Sequence, residues 1–178
     1  MKALVIYESM FGNTAEMGEA VAAALARHGI EVESGPVSRF DATALAQTDL
    51  LVVGGPTHAH GMSSKGTRKS ATADKRYTPD HEPDGGPGIR EWLNDLPSGS
   101  GRPAASFDTR FQKPRWLTGS AAKGIAERLE QHGYRLVAEP QSFFVTGEHR
   151  LEAGQAERAT AWGDQLADRV SASPAQGG

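Results

Sequence analysis

The apolar run Lys2-Ala-Leu-Val-Ile-Tyr7 gives way, within Glu8-Ser-Met-Phe-Gly-Asn-Thr14, to a segment with helical spacing, and this junction constrains the fold most. A short run of β-branched and aliphatic residues predicts a strand buried on both faces, the habit of central parallel strands. From Thr14 to His28, the residues Met17, Val21 and Leu25 recur at i+4 with alanines between them, and Gly29 supplies a helix stop. Gly18 marks a place for close packing of that helix on the strand. The loop between the two elements offers hydroxyls at Ser9 and Thr14, an amide at Asn13, a glycine at Gly12 and no lysine. A helix N-terminus carries unpaired N–H groups and partial positive charge, so such a loop can hold a phosphate without a cationic side chain. By spacing alone, an ordinary turn capped by Ser9 or Thr14 explains it equally well.

The rest of the chain repeats the alternation. Ile30 to Ser34 alternates apolar and charged residues, as an edge strand with one wet face does. Asp41 to Ala46 reads as a short helix and Leu50 to Val53 as a second buried strand. Gly54 to Met62 reads as the loop at its carboxyl end. Ser63 to Gly88 is polar, lacks periodicity and carries Pro79, Pro83 and Pro87, which makes it a long functional or disordered loop. Ile89 to Leu96 is a short helix with Ile89, Trp92, Leu93 and Leu96 on one face. Arg102 to Phe107 reads as a fourth strand and Asp108 to Leu117 as its loop. A helix follows from Ser120 to His132. Tyr134 to Val137 and Phe143 to Val145 read as one strand interrupted near Pro140, and Ala153 to Val170 as the last helix. One domain over residues 1–170 is expected, with a disordered tail at 171–178. Strands alternating with helices predict an α/β fold, a three-layer, doubly wound, five-stranded parallel sheet.

Ser9-Met-Phe-Gly-Asn-Thr14, placed after an N-terminal strand, resembles the phosphate loop of flavodoxin-like proteins, whose usual form is [ST]-x-T-G-x-T. Phe11 departs from that form and is similar to the S-M-[YF]-G of quinone reductases of the tryptophan-repressor-binding-protein (WrbA) type. Gly54-Gly-Pro-Thr57 resembles the G-[GT]-P-T of the same branch. The resemblance implies strand order 2-1-3-4-5 and an FMN cofactor bound beyond the carboxyl ends of the strands, where the order reverses. It assigns Ser9, Met10, Phe11, Gly12, Asn13 and Thr14 to the phosphate. Gly55, Pro56, Thr57 and His58 would border the isoalloxazine, and Asp108, Thr109 and Arg110 would form its outer wall. A positive charge from His58 or Arg110 at the pyrimidine edge would raise the flavin potential. Flavodoxins commonly sandwich the ring between aromatics. The third loop offers Phe111 and Trp116 for this, Trp116 fitting simple packing as well, whereas the second offers only His58, His60 and Met62.

Other chemistries lack their residues. The sequence has no G-x-x-x-x-G-K-[ST], no G-x-G-x-x-G after a strand and no G-x-S-x-G elbow. Glu8 stands alone where a response-regulator receiver carries paired acids. His58-x-His60 and Asp80-His-Glu82 are too sparse to define a metal centre, so no metal is expected. Zero cysteines exclude thiol redox chemistry and thiolate metal sites. A net charge of −3, with both signs interspersed, gives no footprint for nucleic acid or an anionic membrane. The N-terminal run is too short for a secretory signal and no stretch reaches the ~18 apolar residues of a membrane span, so a cytoplasmic protein is expected. Three functions remain open. The first is an electron-transfer flavodoxin with a redox partner protein, the second an NAD(P)H:quinone reductase, and the third a flavodoxin-fold binding module without flavin. No catalytic side chain and no oligomeric state are assigned.

Overall fold

The computed structural model describes residues 1–58, 61–64, 66, 69 and 88–172. The first strand, β1 (Lys2–Tyr7), lies between β2 (Glu31–Pro36) and β3 (Leu50–His58), parallel to both. On its far side β3 pairs in parallel with β5 (Pro103–Phe111), from Leu51 opposite Ala104 to Pro56 opposite Thr109. The next position is shared by two short strands, β6 (Arg135–Leu136) and β7 (Gln141–Val145), both parallel to β5. This is the expected five-position parallel order, with the last position interrupted as the break at Pro140 predicts. A two-residue strand, β4 (Gly61–Met62), folds back antiparallel on the end of β3.

Alternation along the strands builds two cores. Ala3, Val5 and Tyr7 of β1, with Leu50 and Val52 of β3, pack against one helix layer, α1 (Asn13–Arg27) and the last helix, α6 (Gln155–Ala172). Leu4, Ile6, Leu51 and Val53 point to the other layer, formed by α2 (Ala42–Ala46), α3 (Ile89–Asn94) and α5 (Ala121–Gln131). A further turn of helix, α4 (Arg115–Thr118), follows β5. Two glycines set the helix spacing. A Cβ on Gly18 would lie 2.6 Å from the Tyr7 ring, and one on Gly163 would lie 2.6 Å from Ala24 Cβ. Gly18 therefore seats α1 on β1 as its position predicts, and Gly163 lets α6 cross α1.

Two segments expected as loops are strand. Gly54 to His58 continues β3, and Asp108 to Phe111 continues β5. Gly-Gly-Pro reads as punctuation, but the pairing explains its tolerance here. The last β1 residue, Tyr7, is opposite Gly54. Beyond it β3 has lost that neighbour, and a proline without an N–H fits where one side of the strand is unpaired. The polar Asp108-Thr-Arg110 resembles a loop because it lacks apolar residues, yet all three are buried between β3 and β7. Ala59, His60 and most of the polar segment 63–88, including Asp80 and Glu82, lie outside the described residues, as does the tail beyond Ala172.

Candidate functional site

The strand order reverses at β1, where α1 leads the chain back to β2 on one side and β3 begins the run on the other. A crevice beyond the carboxyl ends of β1, β3 and β5 follows from that reversal. Glu8 leaves β1 with its N–H on Gly54 O at 3.1 Å, so the loop starts tied to β3. Gly12 turns the chain into α1 with φ +82°, a left-handed conformation that favours glycine, and no side chain caps the helix. Glu16 N–H reaches Gly12 O at 2.9 Å, so the amides of the first turn have no carbonyl within the helix. Ser9 is buried, and among the described residues its Oγ has no hydrogen-bond partner. An enclosed hydroxyl left unpaired is costly unless a ligand completes it. It opens a loop that ends on the bare N-terminus of a fifteen-residue helix, which is a fit for a phosphate.

The structure distributes the other expected site residues among several tasks. Met10 is buried and Phe11 half-buried beside the same loop. Asn13 donates from Nδ2 to the carbonyl of His149 at 2.8 Å. The Thr14 hydroxyl meets that of Thr109 at 2.7 Å, binding α1 to the end of β5. Gly55 and Pro56 are buried in β3, while Thr57 and His58 are half-buried at its end. At Gly54 packing requires a glycine, since a Cβ there would sit 2.1 Å from the ring of Phe107.

Thr57 and Asp108 converge on the start of α5. Asp108 Oδ2 accepts from Thr57 Oγ1 at 3.0 Å, from Ser120 Oγ at 2.7 Å and from Ala122 N–H at 2.9 Å. Thr57 Oγ1 also accepts from Ala121 N–H at 2.8 Å. These oxygens satisfy the first amides of α5 and fix the ends of β3 and β5 to one helix. Arg110 donates from Nε to Ser142 Oγ at 3.1 Å and from Nη1 to Lys113 O at 2.7 Å. Its guanidinium lies 5.3 Å from the centre of the Phe144 ring, so it braces the turn after β5 against β7. Trp116 is 84% exposed, which removes core packing as its role.

Two site residues escaped the sequence reading. Glu8 is buried and accepts from Ser63 Oγ at 2.5 Å and from Ile89 N–H at 2.7 Å. Its carboxylate thus holds both the departure and the return of the long segment 63–88. Arg90 reinforces this closure, donating to Met62 O at 2.8 Å and to Ser63 O at 3.2 Å. The second residue is His149, in the turn between β7 and α6. Its ring stacks on Phe11 with centroids 4.4 Å apart and planes at 20°, and Phe111 lies 6.0 Å away. His149 has φ +56°, a strained choice for a residue with a Cβ. Topology was the usable signal, since the loop after the last strand opens on the same end of the sheet as the other three. Burial pushes the His58 imidazole below its ordinary pKa, and the nearby charge of His149 adds to the effect. No group of three or more His, Asp and Glu able to hold a metal occurs among the described residues, and none of the described helices is long and apolar enough to cross a membrane.

Known proteins share this fold. A search of curated protein sequences finds no match. Among solved structures, the chain is similar to a flavodoxin from the domain Archaea, at 18% identity and TM-score 0.67, covering 96% of this chain and 99% of that one. It is equally similar to flavodoxin 1 from Bacillus cereus, at 22% identity and TM-score 0.67, with 97% and 99% covered. Rubredoxin oxygen:oxidoreductase from Desulfovibrio gigas, at 16% identity and TM-score 0.62, matches 96% of this chain with 36% of its own length. These identities establish a shared fold. The flavodoxin family model matches residues 5–100, more than half of the chain. Because that match takes in the loop after β1, the bare start of α1 and the β1–β3 reversal, the chain belongs to the flavodoxin family, whose cofactor is FMN.

Proposed function

We propose that the protein binds FMN non-covalently at the carboxyl ends of β1, β3 and β5 and passes electrons to and from a redox partner. The observation that carries this reading is the unpartnered, buried Ser9 hydroxyl beside an uncapped helix N-terminus. Ser9, Gly12, Asn13 and Thr14 would hold the phosphate, with Met10 and Phe11 covering it. The Thr14–Thr109 contact keeps the helix start in register with β5. Gly55, Pro56, Thr57 and His58 would line the ring from β3, and Asp108, Thr109 and Arg110 would support it from β5. In this reading Asp108 and Arg110 act through the elements they brace. FMN, when bound, supplies the reversible uptake and release of electrons. The protein contributes orientation, exclusion of water and the electrostatics around the ring.

Replacing Ser9 and Thr14 together by alanine should weaken FMN by at least about tenfold while riboflavin binding changes little, because charge-assisted bonds to the phosphate are the ones removed. Titration calorimetry with both flavins reads the difference, and equal losses would take both residues out of the phosphate site. Phe11 and Gly54-Gly-Pro-Thr57 keep an NAD(P)H:quinone reductase as the second reading. Rapid mixing of the FMN-loaded protein with NADH or NADPH separates the two. A carrier leaves the flavin absorbance unchanged until a reductase is added, whereas direct bleaching by either nucleotide establishes the reductase.

A further inference from the structure

The phosphate loop has no basic side chain anywhere between Glu8 and Thr14. A group from the far end of the chain approaches it instead. The turn after β7 is closed by Thr146 N–H on Arg150 O at 2.7 Å and by His149 N–H on Thr146 O at 3.0 Å. This turn projects His149 against Phe11, one residue before the Gly12 that caps α1. Asn13, the first residue of α1, holds the His149 carbonyl at 2.8 Å. The stacked ring, the bond from Asn13 and the left-handed backbone together hold the imidazole against Phe11 of the loop. Packing alone gives a weak account of this cost, because a glycine stands two residues earlier, at position 147, and the turn could have placed glycine at the strained position. The neighbouring charges of the turn, Glu148 and Arg150, face each other at 3.8 Å.

Resting on the FMN reading above, we infer that His149 is a phosphate-binding residue, its imidazole supplying a ring N–H donor from the last βα loop to a first loop that has no basic side chain. Phe11 then has a defined task. It is the platform that sets the plane of the imidazole, which explains an aromatic where the family motif carries a hydroxyl. His149 favours FMN over riboflavin, since only the phosphate monoester offers it an acceptor.

The test compares FMN, riboflavin and inorganic phosphate by titration calorimetry near pH 6 on the wild type, His149→Phe and His149→Asn. The phenylalanine variant keeps a ring on Phe11, and the asparagine variant tolerates the left-handed backbone. Ligand-free melting curves establish that both are folded. The expected result is a loss of about tenfold in FMN affinity in both variants, riboflavin affinity being retained. FMN affinity unchanged in His149→Phe, or riboflavin affinity falling as far as that of FMN, overturns the assignment of His149 while leaving FMN binding intact. A wild-type protein that binds neither flavin overturns the functional reading, and the inference goes with it.

Discussion

At the scale of single residues, the glycines and buried polar atoms separate the parts of the carboxyl-end crevice that are packed and paired from those that are not. Gly54 serves the fold, because Phe107 on the neighbouring strand fills the space above it and packs edge-on against Phe143 and Trp162. An alanine there would overlap the buried ring at 2.1 Å, with no free end of a flexible chain to yield. Gly54→Ala should therefore destabilise the protein by about 1–3 kcal/mol or more, the range of overpacking in a closed core. Urea unfolding checks this, and a midpoint within error of the wild type would contradict the overlap. Ser9 is the opposite case. Its buried hydroxyl lacks a partner where neighbouring polar groups such as Thr14 and Thr109 have found one.

At the scale of elements, the start of α5 decides how the ends of β3 and β5 are held. Thr57 bridges Ala121 N–H and the Asp108 carboxylate, so it works as a helix cap contributed by a strand. Thr57→Val keeps the shape but strips one amide of its acceptor and one carboxylate oxygen of a donor. The expected cost is about 1–2 kcal/mol, that of a lost cap or a half-broken buried hydrogen bond, with an unchanged urea dependence. A loss below about 0.3 kcal/mol would show that water replaces the hydroxyl without penalty. Element identity was legible in the sequence wherever apolar residues kept a period, as in β1, α1 and the last helix. The carboxyl ends of β3 and β5 were not, because their buried residues are glycine, proline, aspartate, threonine and arginine. Those residues are buried by partners far away in the chain, Ser120 and Ala122 for Asp108 and Ser142 for Arg110. No local pattern records such partners.

At the scale of the whole molecule, the site is assembled from both ends of the chain. The strand-to-helix junction after β1 was legible because one short segment carries it, whereas the contact of His149 was not, because only the folded sheet brings the last βα turn over Phe11. The charge of His149 also bears on His58 at the end of β3. This coupling has a consequence for stability. Burial, and secondarily the charge of His149, hold the folded pKa of His58 below its ordinary 6.5. Between that lowered pKa and 6.5 the unfolded chain binds the proton more readily than the native one, so stability rises with pH across this window. The contribution of neutral His58 is fully present above 6.5 and is lost as the pH falls through 6.5 towards the folded pKa. His58→Asn removes the titrating group. In ligand-free protein, the loss of unfolding free energy between about pH 7.5 and about pH 5.5 should thus be smaller for the variant than for the wild type. Equal losses in the two proteins, measured by urea unfolding at both pH values, would place the His58 imidazole in water and dissolve the coupling between β3 and the last turn.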